Sequence, residues 1–136
     1  MPSTIIRRFA NAGTTSSKGT ETFTGDVWVD PVHNTPDTKI NNVLFSPGAR
    51  SHWHTHEHGQ LLRVVAGSGW ICDQGSQPRR LVAGDIVWAE AGTTHWHGGD
   101  DGSFMCHLAV SHGATTWHGQ VTDDEYAKKT SAAASS

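Results

Sequence analysis

Cysteine is scarce in this chain. Cys72 and Cys106 are the only two among 136 residues, and their separation fits neither a zinc-finger pair nor a redox pair. Two buried, reduced thiols in a cytoplasmic protein are expected rather than a disulfide. Basic runs are missing as well, and 10 Lys and Arg against 13 Asp and Glu leave a slightly negative chain. That balance argues against nucleic acid or an anionic membrane surface as a partner. No apolar stretch approaches the length of a membrane span. The opening Met-Pro-Ser-Thr-Ile-Ile-Arg-Arg-Phe has two arginines without the apolar core of a signal peptide, so none is expected. There is no internal repeat and no sustained helical period before residue 120, and the length suits one domain with a proper core.

What the chain does contain is short β-type runs punctuated by glycine. Residues 11–22 read as a polar loop, and Phe23 to Val29 as a strand ended by Asp30-Pro31. Val43 to Ser46 leads into a Pro47-Gly48 turn, and Leu61 to Ala66 is a strand stopped by a hairpin-like Gly67-Ser68-Gly69 before Trp70. Ala83-Gly84-Asp85 turns the chain into Ile86 to Ala89, and residues 98–102 turn it into Phe104 to Val110. Strands every eight to twelve residues define an all-β sandwich or barrel. Thr122, with Glu125 three residues on, caps a helical turn or two, and the low-complexity 130–136 is expected to be disordered. The division is an arm over 1–22, a barrel over 23–120 and a short C-terminal segment over 121–136. Six tryptophans, at 28, 53, 70, 88, 96 and 117, are expected to pack inside the protein or between subunits.

Histidine is the abundant chemistry. Of ten, four fall at His52, His54, His56 and His58, two at His95 and His97, and one at His107. Alternate residues of an extended strand share a face, so the first four would point the same way and form a chelate for a transition metal. The His95 segment could supply a further ligand, with His97 sharing its direction. Gln60 offers an amide oxygen that can coordinate, and Leu62 and Val64 follow on the same interior face.

These residues resemble the cupin family. Its first motif is Gly, five residues, His-x-His, three or four residues, Glu, six residues, Gly; Gly48, His54, His56 and Gly67 match, with Gln60 at the glutamate position. In the second motif Gly84, Gly92 and His95 match, while Glu90 and Gly99 stand in for its proline and asparagine. The resemblance implies a small single-domain antiparallel β-barrel, with His54, His56, Gln60 and His95 as metal ligands and His52 and His58 as rim residues. The set of three histidines and glutamine, with Thr93-Thr94-His95-Trp96-His97-Gly98 and Cys106-His107-Leu108-Ala109, is similar to the small manganese-dependent cupins that include bacterial hydroxynitrile lyases. Phe23-Thr24-Gly25 and the ending Trp117 to Tyr126 carry the similarity over nearly the whole chain. It implies Mn²⁺ as cofactor, with Fe²⁺, Ni²⁺ or Zn²⁺ as alternatives. It also implies His97 and His107 as catalytic residues projecting into the pocket, and Asn41, Val43, Ser51 and Ser111 as pocket walls.

Glutamine in place of glutamate has a consequence. Four neutral ligands leave the full charge on a divalent ion, favouring Lewis-acid over oxygen-activating chemistry. Together with this preference, the resemblance implies a lyase that cleaves a C–C bond in a small hydroxylated substrate. Its best-defined form is cyanohydrin cleavage, and retro-aldol or retro-Henry reactions need the same parts. His97 is the candidate base and His107 the second pocket histidine. A cupin dioxygenase using Fe(II) and oxygen, and a non-enzymatic metal- or small-molecule-binding cupin, are the alternatives. The polar Asn41 and Ser111 point to a more polar substrate than the lyases of that group take. A homodimer or homotetramer is expected, with Trp53 outward at a barrel edge and Arg63 outward.

Overall fold

A computed structural model describes residues 2–7 and 16–135. The strands are β1 (Ser17–Gly19), β2 (Phe23–Thr24), β3 (Val27–Asn34), β4 (Thr38–Phe45), β5 (Arg50–Ser51) and β6 (His54–His56). They continue as β7 (Gln60–Asp73), β8 (Arg79–Val82), β9 (Ile86–Ala89), β10 (Thr94–Gly99), β11 (Met105–His112) and β12 (Thr115–Trp117), before a helix, α1 (Asp123–Ser135). All pairings are antiparallel. The main path runs β1-β3-β4-β11-β7-β10-β5-β2, with β9 and β8 added on β7 and β6 and β12 on β10. The all-β expectation holds: two sheets share β7 and close into a nearly complete barrel.

The sharing of β7 explains the largest departure from the sequence reading. Gly67-Ser68-Gly69 is not a turn but the middle of a 14-residue strand. Before it β7 pairs with β11 and β9, and after it with β10 and β8, so the glycines mark where the strand passes from one sheet to the other. Gly67 has φ +76°, and a Cβ there would strike the Phe104 carbonyl, while one on Gly69 would strike the Gly98 carbonyl. Absence of side chains lets the backbones close at this corner.

Other boundaries move for similar reasons. The histidine run is not one strand; it breaks after Ser51, resumes at His54–His56, and turns again through Gly59 at φ +95°. β3 continues through Asp30-Pro31 to Asn34, with a register shift between Pro31 and His33. Proline is tolerated there because β1 pairs only with residues 27–29 of β3. Part of the expected polar loop is β1; residues 11–15 lie outside the described residues. The C-terminal segment expected to be disordered continues as backbone helix to Ser135, Ser136 lying outside the described residues. Its start carries the expected reciprocal cap, Glu125 N–H donating to Thr122 Oγ1 (3.1 Å) and Thr122 N–H to Glu125 Oε1 (3.0 Å).

Strict alternation fills the interior. Along β11, Met105, His107, Ala109 and Ser111 are buried and their neighbours half-buried. Val27, Val43, Phe45, Leu62, Val64 and Ile71 complete the barrel core. A second cluster, Trp70, Cys72, Trp96, Val121 and Tyr126, seats α1 on the outside of the other sheet. Tyr126 OH donates to the Gly99 carbonyl (2.6 Å), and Arg50 Nη2 to the Val121 carbonyl (2.9 Å) and to Asp123 (2.7 Å). Trp53 packs against this cluster, so it is half-buried within the chain rather than turned outward. Both cysteines are free, and burial raises their thiol pKa values, that of Cys72 to about 11. Among the described residues no helix is long and apolar enough to cross a membrane.

The corner gives a first prediction. Gly69→Ala should lower stability by about 2–3 kcal/mol, because its methyl meets a backbone carbonyl and Met105 Sδ at 2.6 Å. Gly75→Ala, whose Cβ would meet nothing, should cost only the left-handed backbone penalty of about 1 kcal/mol. Urea denaturation measures both.

Candidate metal centre

The inward rows of β6, β7, β10 and β11 bring the polar side chains to one end of the barrel. Arg50–Ser51 and His54–His56 both pair with β10, which sets His54 beside His95 in register. His95 and His97 lie two residues apart on β10, and His107 stands on β11. His54 Nε2 lies 3.1 Å from His95 Nε2 and 3.2 Å from His97 Nε2. Ligand nitrogens of all three lie within 4.8 Å of one another. The ring of His56 is 5.0 Å from that of His54 between centroids.

Hydrogen bonds fix which atoms face inward. His54 Nδ1 lies 2.8 Å from the His52 carbonyl, which can only accept, so Nδ1 carries the proton and Nε2 bears a lone pair. Gln60 Nε2 donates to Ser111 Oγ (3.0 Å), leaving its carbonyl oxygen free. His56 Nδ1 is held by Thr115 Oγ1 at 3.1 Å. His97 N–H donates to Ser51 Oγ (3.2 Å), and His97 Nδ1 lies 3.0 Å from His107 Nε2. These partners are the orienting groups that sequence reasoning could not name.

Burial sets the charge. It holds His54 and His97 well below the usual imidazole value, His56 and His107 at about 4, and His95 at about 3. Neighbouring imidazoles push His54, His95 and His97 further down, because each would repel a second positive ring. Neutral rings are the ligating form.

A divalent cation fits this set on the donors' own chemistry. His56 Nε2 and Gln60 Oε1 are buried without a hydrogen-bond partner in the structure. Buried acceptors of this kind cost free energy unless something satisfies them. Both residues line one cavity of about 230 Å³ with His54 and His97. The buried cluster of His54, His95 and His97 fits a divalent metal site, and the two orphaned atoms supply further neutral donors.

Asn41, Val43 and Ser111 line the cavity as expected of pocket walls. Ser51 does not; fully buried, it lies beneath His54 and His97. His107 likewise does not project into the cavity: its ring is fully buried behind His97, against Phe45 at 5.4 Å. His97 comes closer to the cluster than its reading as a neighbouring base implied, its Nε2 being one of the three converging nitrogens. His52 is half-buried, with its carbonyl rather than its ring turned to the site, and His58 is exposed beside Glu57. Sequence reasoning missed Lys39, Thr115 and Trp117 at the mouth. Lys39 was findable, since it shares strand parity with Asn41 and Val43. Trp117, its ring 4.8 Å from that of His54, sits on a three-residue strand with little sequence signal.

The fold and this histidine cluster define a cupin, and residues 41–111 match the cupin domain family, to which the chain belongs. The (R)-mandelonitrile lyase of Granulicella tundricola is 41% identical over 119 residues, spanning 82% of this chain and 91% of that protein. A cupin-like protein from Thermotoga maritima superimposes with a TM-score of 0.79 at 38% identity, covering 82% of this chain and 91% of that one. A cupin 2 conserved barrel domain protein from Rhodopseudomonas palustris shares the fold at a TM-score of 0.63 and 20% identity, covering 85% and 81% of the two chains.

The depressed imidazoles set the pH response of the metal-free protein. Their folded values lie below the ordinary 6.5, so the unfolded chain binds more protons in mild acid. Their contribution is complete above about pH 6.5 and is lost as pH falls through that value towards 4 and 3. The urea midpoint should hold steady between about pH 8 and 7 and fall continuously from about 6.5 to 5. A midpoint unchanged down to about pH 5 would contradict the buried neutral rings.

Proposed function

We propose that this cupin is a metal-dependent lyase that cleaves the C–C bond next to a hydroxyl in a small substrate, a cyanohydrin being the best-defined case, with manganese as its ion. The observation that carries the reading is the convergence of neutral imidazole nitrogens on a small cavity in a chain 41% identical to an (R)-mandelonitrile lyase. A divalent ion held by His54, His56, Gln60 and His95, all neutral donors, supplies a Lewis acid for the substrate oxygen.

His97 is the base. It lines the cavity, burial keeps it neutral, and a His97 Nδ1–H donating to His107 Nε2 leaves Nε2 free to accept the hydroxyl proton. As the O–H proton moves to His97, the carbonyl forms, the bond to the nitrile carbon breaks, and cyanide leaves with the electron pair. His97 then returns the proton to cyanide, giving an aldehyde and hydrogen cyanide with all atoms accounted for. His107 acts through His97 as a positioning residue, because it touches that ring and not the cavity. Phe45 packs at 5.5 Å from the His97 ring, keeping it from turning.

The mouth is polar. Lys39, Asn41 and Ser111 line it, and Lys39 is the one lysine or arginine among the lining residues. A substrate with a hydrogen-bonding or anionic substituent is favoured over a bare aryl cyanohydrin. The cavity, about 230 Å³, confines the choice to small molecules.

Steady-state assays on manganese-loaded protein test the reading. Mandelonitrile cleavage should be measurable and should fall about 10²–10⁴-fold in His97→Ala. Activity that appears only with iron and consumes oxygen would overturn the lyase in favour of a dioxygenase. No turnover of any cyanohydrin or nitro-alcohol in the wild type would leave a binding protein. Asn41→Ala should raise kcat/KM for mandelonitrile relative to a polar cyanohydrin about tenfold, the worth of one unpaired polar group beside an apolar ring.

A further inference from the structure

The charge of the cavity is one-sided. Among the described residues that line it, none is an aspartate or glutamate, and Lys39 stands beside neutral imidazoles, amides, hydroxyls and apolar groups. Among the described residues Lys39 also has no ion-pair partner. A divalent ion held by neutral donors adds to this positive charge and does not offset it. A cleft lined by one sign of charge collects ligands of the other sign.

Strand register says where that ligand would lie. Lys39 and Asn41 alternate along β4 with Val43 and Phe45, which are buried in the barrel core. β4 sets Lys39 directly opposite Ser111 of β11, and Ser111 in turn pairs with Gln60 of β7. Directly paired residues share one side of a sheet, so lysine, serine and glutamine form a row across the barrel wall. Ser111 Oγ accepts the Gln60 amide (3.0 Å), and its own O–H has no acceptor among the described residues. Ser111 is buried and lines the cavity, so that proton is offered to whatever the cavity holds. An ammonium and a hydroxyl side by side match the two oxygens of a carboxylate. Two strand spacings, about 10 Å, separate the backbones of Lys39 and Gln60, which is the scale of one small molecule. Phe23 and Trp117, their rings 5.8 Å apart, give an apolar surface for its middle.

We propose that the substrate is a small hydroxy-carboxylate, its carboxylate held by Lys39 and Ser111 while its hydroxyl faces the histidines. This rests on the lyase reading and names its substrate class. The carboxylate belongs to the fragment that becomes the carbonyl product. Lys39 and Val43 lie four residues apart on β4, about 13 Å along the strand. Val43 pairs with His107, whose Nε2 is 3.0 Å from His97 Nδ1. The base therefore works at the inner end of the cavity, and Lys39 holds the outer end. The carbon that departs with the electron pair takes its proton from His97, so it points inward. The retained fragment reaches outward to Lys39. Its carboxylate is unchanged by the cleavage, and the product is an aldehyde or ketone that carries it.

Titration calorimetry on the manganese-loaded protein tests this without turnover, using 4-formylbenzoate and 4-methylbenzaldehyde, which differ only in the carboxylate. The formylbenzoate should bind about tenfold tighter or more, lose that advantage in Lys39→Met and keep most of it in Lys39→Arg. Ser111→Ala should narrow the gap about threefold. Circular dichroism melting of each variant checks that the barrel is intact. In cleavage assays the cyanohydrin of 4-formylbenzoate should exceed mandelonitrile in kcat/KM by about tenfold, a ratio that Lys39→Met should erase. Equal affinities for the two aldehydes, no binding of either at about 10 mM, or a preference indifferent to Lys39→Met would each overturn the carboxylate site. Lys39-dependent binding of formylbenzoate with no cyanohydrin cleaved would keep the site and overturn the lyase reading. Mandelonitrile cleavage without any carboxylate preference would keep the lyase and overturn the site.

Discussion

Neutral ring nitrogens crowded against the His54 Nε2 lone pair inside a nearly closed barrel are the constraint on which the site turns. Burial keeps His54, His95 and His97 neutral, and His54 Nε2 is left unprotonated by the bond from Nδ1 to the His52 carbonyl. Acceptors packed at 3.1–3.2 Å repel unless a proton or a cation lies among them. A proton can reconcile one pair. It cannot also satisfy the orphaned His56 Nε2 and Gln60 Oε1 in the same cavity, whereas a divalent cation can meet those two together with His54 Nε2 and His95 Nε2. The cluster is thus unfavourable as packing and sensible as coordination, which is why metal and fold are expected to stabilise one another.

The rest of the molecule holds this arrangement rigid. β7 crosses from one sheet to the other through Gly67 and Gly69, so Gln60 at its start pairs with Ser111 of β11 while His95 pairs at its far end, and Gln60 shares one cavity with His54. The apolar core continues directly beneath the rings: Phe45 touches both His97 and His107 edge-on or tilted. Hydrogen bonds to Ser111 and Ser51 and one shared with Thr115 then hold the Gln60 amide, the His97 backbone and the His56 ring in place. Core packing sets position, and these polar contacts set direction.

Much of the centre was legible from spacing, because strand parity and the gaps around Gly48, Gly67, Gly84 and Gly92 fix which residues face inward. Strand parity agrees with the place of Asn41, Val43 and Ser111, which were expected at the cavity from the resemblance. It failed where the chain leaves the regular strand: His52 turns away because the strand breaks after Ser51. It failed again at Gly67-Ser68-Gly69, where glycine serves close backbone approach between sheets and local turn statistics cannot tell the two uses apart. Depth is the other quantity that parity lacks. His97 and His107 both face inward, yet only three-dimensional stacking reveals that one ring stands behind the other. Trp53 is a similar case: its packing depends on α1 and the Val121–Tyr126 cluster, far away in sequence.

The chemistry of this centre turns on which atoms hold the ion and on the place left for His97. Anomalous diffraction from manganese-soaked crystals reads this directly. One strong peak per chain is expected within bonding distance of His54 Nε2, His56 Nε2, His95 Nε2 and Gln60 Oε1, with His97 Nε2 beyond it. A peak bonded to His54, His95 and His97 with Gln60 uninvolved would contradict the assignment of His97 as base, and no peak at all would contradict the metal centre itself.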